Sequence, residues 1–154
     1  MEKEEIYKNL FIQIQALLHN EFDLVANMSN MTSIIFERVP RLNGASFYRW
    51  KHDELILGPF QGRVACMHIP IDKGVCGKVA ATKTTEIVDN VHLFPGHIAC
   101  DSRSKSEIVV PIFQPDTQQF FGVLDLDSPY DANFDSVDAD HLEKIVTLVF
   151  GNKK

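Results

Sequence analysis

The stretch SEIVVPIFQPDTQQFFGVLDLD, residues 106–127, decides the fold. Two runs rich in Val, Ile and Phe flank Pro115-Asp116-Thr117, where proline presets φ and aspartate bonds its own backbone. The pattern predicts an antiparallel hairpin. In its second strand Leu124 and Leu126 alternate with Asp125 and Asp127, so one face is apolar and the other carries two carboxyl groups. Glu107 opens the first strand, and the three acids meet on one face if the strands are neighbours. Acids that meet raise one another's pKa, so one can stay protonated as a proton donor while another binds an ammonium group. Turn-forming aspartates at a solvated strand end would produce the same spacing.

Working outward, short β-type runs occupy residues 45–50, 54–57, 63–69 and 85–88, separated by Gly, Pro, Asp and Asn, with a hairpin turn at His52-Asp53. Helical spacing rules elsewhere. Ile6, Leu10, Phe11, Ile14, Leu17 and Leu18 make an apolar stripe over residues 3–19, and a second stripe runs through Leu24, Met28, Met31 and Ile35 until Pro40 closes it. A short helix opens near Gly74 with Val75, Cys76, Val79 and Ala80. A last helix, capped by Asp135 or Ser136, carries Leu142, Ile145, Val146 and Val149. The expected class is α+β: a central, mainly antiparallel sheet of about six strands, with the N- and C-terminal helices packed on one face. Residues 1–154 read as a single domain, large enough to bury a core without staples. Residues 89–105 lack periodicity, and a loop of that length in a compact domain points to a binding or lid role.

A net charge of -6 with no basic run excludes phosphate backbones and anionic lipid as expected partners and suits a small cationic or zwitterionic ligand. No apolar run approaches the roughly 18 residues of a membrane span. Met1-Glu2-Lys3-Glu4-Glu5 is acidic where a secretory signal is basic and then apolar, so a cytoplasmic location is expected.

Cys66, Cys76 and Cys100 are the remaining chemistry. An odd number of cysteines in a reducing compartment argues against a structural disulfide framework, and no pair has zinc-knuckle spacing. No metal is expected. Neither glycine cluster, GPFQG at 58–62 or GVCG at 74–77, has the form of a phosphate loop, so no cofactor is expected either. Cys76 stands at the mouth of the short helix, where free N–H groups favour a thiolate, and Cys100 stands near Arg103 and Lys105, which act in the same sense. His97, three residues before Cys100, is within reach of pairing with it. Free cysteines are also common as small buried hydrophobes.

Taken in order, LILGPFQGRVAC (55–66), IDKGVCGKVAATK (71–83), FPGHIACDSRSKSEIVVPI (94–112) and GVLDLDSP (122–129) resemble the free methionine-(R)-sulfoxide reductases, small enzymes of the GAF fold. The resemblance spans nearly the whole chain. It implies reduction of free methionine (R)-sulfoxide through a cysteine sulfenic acid and an intramolecular disulfide recycled by thioredoxin. It also implies Cys100 as nucleophile, Cys66 and Cys76 as candidate resolving thiols, Glu107 in catalysis, and Tyr48, Glu107, Asp125 and Asp127 around the substrate. The order of attack between Cys100 and Cys76 stays open, as does a homodimer. Two positions depart from the family pattern: Gly44 stands where a tryptophan is usual, and Lys78 where a small residue is. The rival readings are a non-catalytic GAF ligand sensor and a thiol redox sensor without turnover.

Overall fold

The computed structural model describes residues 1–151. Helices α1 (Lys3–Leu17) and α2 (Leu24–Arg38) lead into β1 (Gly44–Lys51), β2 (Glu54–Gly62) and β3 (His68–Pro70). Helix α3 (Gly74–Thr82) and β4 (Glu86–Val88) follow, then a long loop with a 3-10 turn at Val91–Leu93, the hairpin β5 (Ser106–Phe113) and β6 (Phe120–Ser128), and α4 (Ser136–Ile145) with a 3-10 extension, Val146–Phe150. The six strands form one sheet in the order β3-β2-β1-β6-β5-β4, each neighbouring pair antiparallel.

The period-2 alternation seen in β6 governs the whole sheet. Ala45 and Phe47 of β1, Ile108, Val110 and Ile112 of β5, and Leu124 and Leu126 of β6 point into a core closed by Leu10, Ile14, Met28, Met31, Ile35, Leu142 and Ile145 from α1, α2 and α4. The opposite face holds Tyr48, Val109 and Val123 under α3, which contributes Val75, Cys76, Val79 and Ala80. The terminal helices therefore share one face, as expected, and the functional face carries only α3 and loops.

Local signals explain the boundaries. The Asp23 carboxylate caps α2 by accepting the Ala26 N–H at 2.9 Å, and Asp135 with Asp138 forms a capping box on α4. His52 and Asp53 both adopt positive φ, the geometry of a tight hairpin turn.

Two expectations need correction. Strand β2 does not stop at Leu57 but runs to Gly62, because Ser46 pairs with Phe60 and Tyr48 with Leu57, leaving Gly58 and Pro59 in a bulge where proline's missing N–H costs no ladder bond. The expected strand over 63–69 shrinks to β3. Residues 63–67 instead arch over the functional face, tied there by the Tyr48 hydroxyl, which donates to the Cys66 carbonyl at 2.9 Å.

Candidate active site

The sheet register assembles the acids. Glu107 pairs directly with Asp127, Asp125 lies two residues along β6, and Gly44 and Ser46 of β1 face Asp127 and Asp125 from the other side. All five line one pocket, roofed by 63–65 and by His97, Ile98, Cys100 and Asp101 of the long loop. Glu107 and Asp125 are each 7% exposed, and Asp127 opens partly to the pocket. Among the described residues no Lys, Arg or His forms an ion pair with any of the three. Asp125 Oδ1 has no hydrogen-bond partner at all.

Buried acids without counter-charge hold their protons. Desolvation, and then the neighbouring Asp127, push Glu107 up to about 8. Asp125 and Asp127 are driven well above the usual carboxylate range, again first by burial, then by Glu107 and Asp125 respectively. Burial and Asp125 also raise the Tyr48 phenol.

The three cysteines lie around this pocket in two different states. Cys66, half-buried on the 63–67 arch, is disulfide-bonded to the exposed Cys100 of the long loop, with Cα atoms 5.5 Å apart. Cys76 is free and only 4% exposed. Its expected activation by the helix start does not occur. Burial first, and then Asp125 and Glu107, raise its pKa well above that of a free thiol. The magnitudes decide this, since a helix terminus contributes about 0.3–1 kcal/mol whereas full burial can shift a pKa by about 3–5 units.

Arg103 does not serve Cys100 as expected either. Its guanidinium lies 2.8 Å from Asp101, and that hydrogen bond holds Asp101 at about 2. His97 reaches the pocket rim against His92, ring centroids 6.4 Å apart, and its pKa is lowered by burial and then by His92. Lys78 points away from the pocket: its Nζ sits 3.0 Å from Glu86 and 5.5 Å from the Phe94 ring centre, tying α3 to β4 and the long loop. Gly77 explains how α3 comes so close, because a Cβ there would lie 2.5 Å from the Pro70 carbonyl oxygen.

One residue escaped the sequence reading. Asn43, just before β1, is 8% exposed and donates from Nδ2 to Asp101 Oδ2 and to Ser104 Oγ, both at 3.0 Å. It fastens the Cys100 loop to the sheet. A polar residue just ahead of a strand carries no signal of that role, since either partner lies roughly sixty residues away.

A six-stranded antiparallel sheet with helices on one face and a ligand-sized pocket on the other defines the GAF class. A solved GAF domain structure covers 97% of this chain with 88% of its own length covered, at TM-score 0.92 and 44% identity. Within that class the chain belongs to the free methionine-R-sulfoxide reductase family: the Escherichia coli K12 protein of that name is 40% identical over 146 residues, 95% of this chain and 87% of its own. The structure of the free methionine-R-sulfoxide reductase from Neisseria meningitidis in complex with its substrate matches at TM-score 0.92 and 39% identity, covering 97% of this chain and 89% of that one. No protein-family model matches the chain.

Proposed function

We propose that the protein reduces free L-methionine (R)-sulfoxide to methionine, with Cys100 as the attacking thiol and Cys66 as its resolving partner. The observation that carries this reading is the Cys66–Cys100 bond at the mouth of a pocket holding three acids that no Lys, Arg or His among the described residues pairs with. In the reduced protein the Cys100 thiolate bonds to the sulfoxide sulfur while Glu107, protonated at neutral pH, gives its proton to the sulfoxide oxygen. The hydroxyl then passes to the Cys100 sulfur as the new sulfur–sulfur bond breaks, which releases methionine and leaves Cys100 as a sulfenic acid. The Cys66 thiol then displaces that oxygen as water and closes the disulfide. A dithiol such as thioredoxin restores both thiols, which suits a reducing, cytoplasmic setting.

Selectivity for the free amino acid follows from the floor. The α-ammonium supplies the positive charge that Asp125 and Asp127 lack and pulls their pKa values back down as it binds, while Glu107 keeps its proton for the sulfoxide oxygen. A residue within a peptide has no ammonium there. Tyr48, packed beside Asp125 and anchored to the Cys66 carbonyl, bounds the substrate on the β1 side.

The test is NADPH consumption with thioredoxin and thioredoxin reductase, using separated (R)- and (S)-sulfoxides and a methionine sulfoxide peptide. Sustained turnover on the free (R) form alone is expected. Disulfide formation by peroxide without sulfoxide turnover would instead make the protein a redox sensor, and saturable ligand binding without either would make it a GAF ligand sensor.

A further inference from the structure

The catalytic reading leaves one group on the pocket floor without a task. Cys76 is not in the disulfide, is too buried to meet an outside thiol, and, as a protonated thiol, adds little to the binding of an ammonium group. Yet its Sγ lies in a cluster with one oxygen each of Glu107 and Asp125, all three atoms within 4.8 Å of one another and all three residues buried. Asp125 Oδ1, in the same pocket, has no partner.

We infer that this floor is a site for a borderline-soft divalent cation, Zn²⁺ foremost, ligated by Cys76 Sγ and by carboxylate oxygens of Glu107 and Asp125. The donor set makes the choice. Calcium and magnesium want six or more oxygen ligands, whereas a thiolate with two carboxylates suits tetrahedral zinc. Zinc holds sulfur at about 2.3 Å and oxygen at about 2.0–2.2 Å, which places neighbouring ligand atoms on the order of 3.5 Å apart. The present separations, all within 4.8 Å, are on the scale of that geometry. The fourth position falls to water or to Asp127, the carboxyl group paired across the ladder from Glu107. Binding releases the thiol proton to solvent and involves no change of oxidation state. Because the ion occupies Glu107 and Asp125, the acids proposed to donate the proton and to hold the α-ammonium, zinc and substrate exclude each other.

The site does not depend on the catalytic reading, and its test is kept separate from turnover because thioredoxin's own thiols bind zinc. Cobalt(II) is titrated into the full-length oxidised protein, in which Cys76 is the one free thiol, while the near-ultraviolet thiolate-to-cobalt absorption is recorded. Zinc then displaces the cobalt, followed by the loss of that band. One equivalent of saturable binding with a thiolate band is expected, and C76S should abolish the band. E107Q and D125N keep the thiol and should each weaken cobalt and zinc roughly 10-fold or more, the scale on which even groups outside the coordination sphere act. Circular dichroism on each variant checks the fold, and the two amide variants decide the question if C76S unfolds. Absence of a thiolate band, or a band whose affinity is unchanged in both amide variants, overturns the site. So does undiminished zinc binding in a folded C76S, which would move the metal to groups such as His92 and His97.

Discussion

Glu107 on β5 and Asp127 on β6 are direct cross-strand partners, so two acids stand face to face near one end of an antiparallel ladder. Like charges in that position destabilise a sheet, and here burial adds to the cost. The pair survives because burial holds protons on both acids, and it makes the protein's stability depend on pH in a predictable sense.

Glu107 is raised from 4.5 to about 8, so between those values the folded state binds more protons than the unfolded chain and stability must fall as pH rises. Its partners Asp125 and Asp127 shift the same way and act in the same direction. Denaturation midpoints for the wild type should therefore decline from pH 5 toward pH 8, on an absolute scale that thermal or urea melts read directly. E107Q should flatten the decline and exceed the wild type at the alkaline end. A wild type that gains stability over that interval would contradict the buried, unpaired acids.

The cysteines have separable roles to measure. C100S should abolish sulfoxide reduction, and substantial residual turnover would transfer the attack to Cys76. C66S should lose more in thioredoxin-driven cycling than in a single turnover, since the resolving thiol acts after methionine has left. The disulfide closes a span of 34 residues, which a chain-entropy account values at about 4 kcal/mol. Urea melts of oxidised and reduced wild type should differ by a large part of that figure, and coincident melts would mean that residual structure in the reduced unfolded chain offsets the constraint.

The amide variants distinguish proton transfer from binding. An acid that protonates the leaving oxygen should cost about 10²–10⁴-fold in kcat when replaced by its amide, whereas one that only grips the ammonium should mainly raise KM. E107Q is expected in the first group, D125N and D127N in the second. Three variants with unchanged kinetics would return these acids to a structural role.

How much of this was legible in the sequence depends on how local the signal was. Leu124, Asp125, Leu126 and Asp127 announced both faces of β6 because alternation is a property of consecutive residues, and the same logic gave the helical layer through Leu10, Ile14, Met31 and Ile35. The Gly58-Pro59 bulge hid the second half of β2, since the one extra residue, two facing Phe47 alone, breaks the period that reveals a strand. Sequence leaves the state of Cys76 open between an activated and a buried thiol, because the helix start is visible there while the cover from β5 and β6 is not.

Asn43 belongs with these long-range features, and its loss should be felt at a distance. N43A removes the two bonds that fasten Asp101 and Ser104 to the sheet, at a cost of about 1–3 kcal/mol, chiefly for Ser104, the partner left in a buried setting. Hydrogen exchange should rise in the segment around Cys100 more than in β5 or β6. Uniformly raised exchange would instead mean that Asn43 supports the fold as a whole.

The last prediction concerns Gly44, which lines the pocket beside the acids. Its φ needs no glycine, and a Cβ built there would meet only Asp127, 3.4 Å from Oδ2, an ordinary contact. The backbone therefore does not explain the residue. If the space above it is a missing wall against the substrate methyl group, Gly44→Trp should lower KM for the free (R)-sulfoxide by no more than the roughly 1–3 kcal/mol that a small apolar contact supplies. The competing outcome is steric: an indole directed at Asp127 can crowd the carboxyl group that receives the ammonium, raising KM while leaving the protein folded. A thermal melt beside the kinetics tells the cases apart. A lower KM at unchanged stability supports the missing wall, and an unchanged or higher KM in an equally stable variant shows that the pocket is complete with glycine in place.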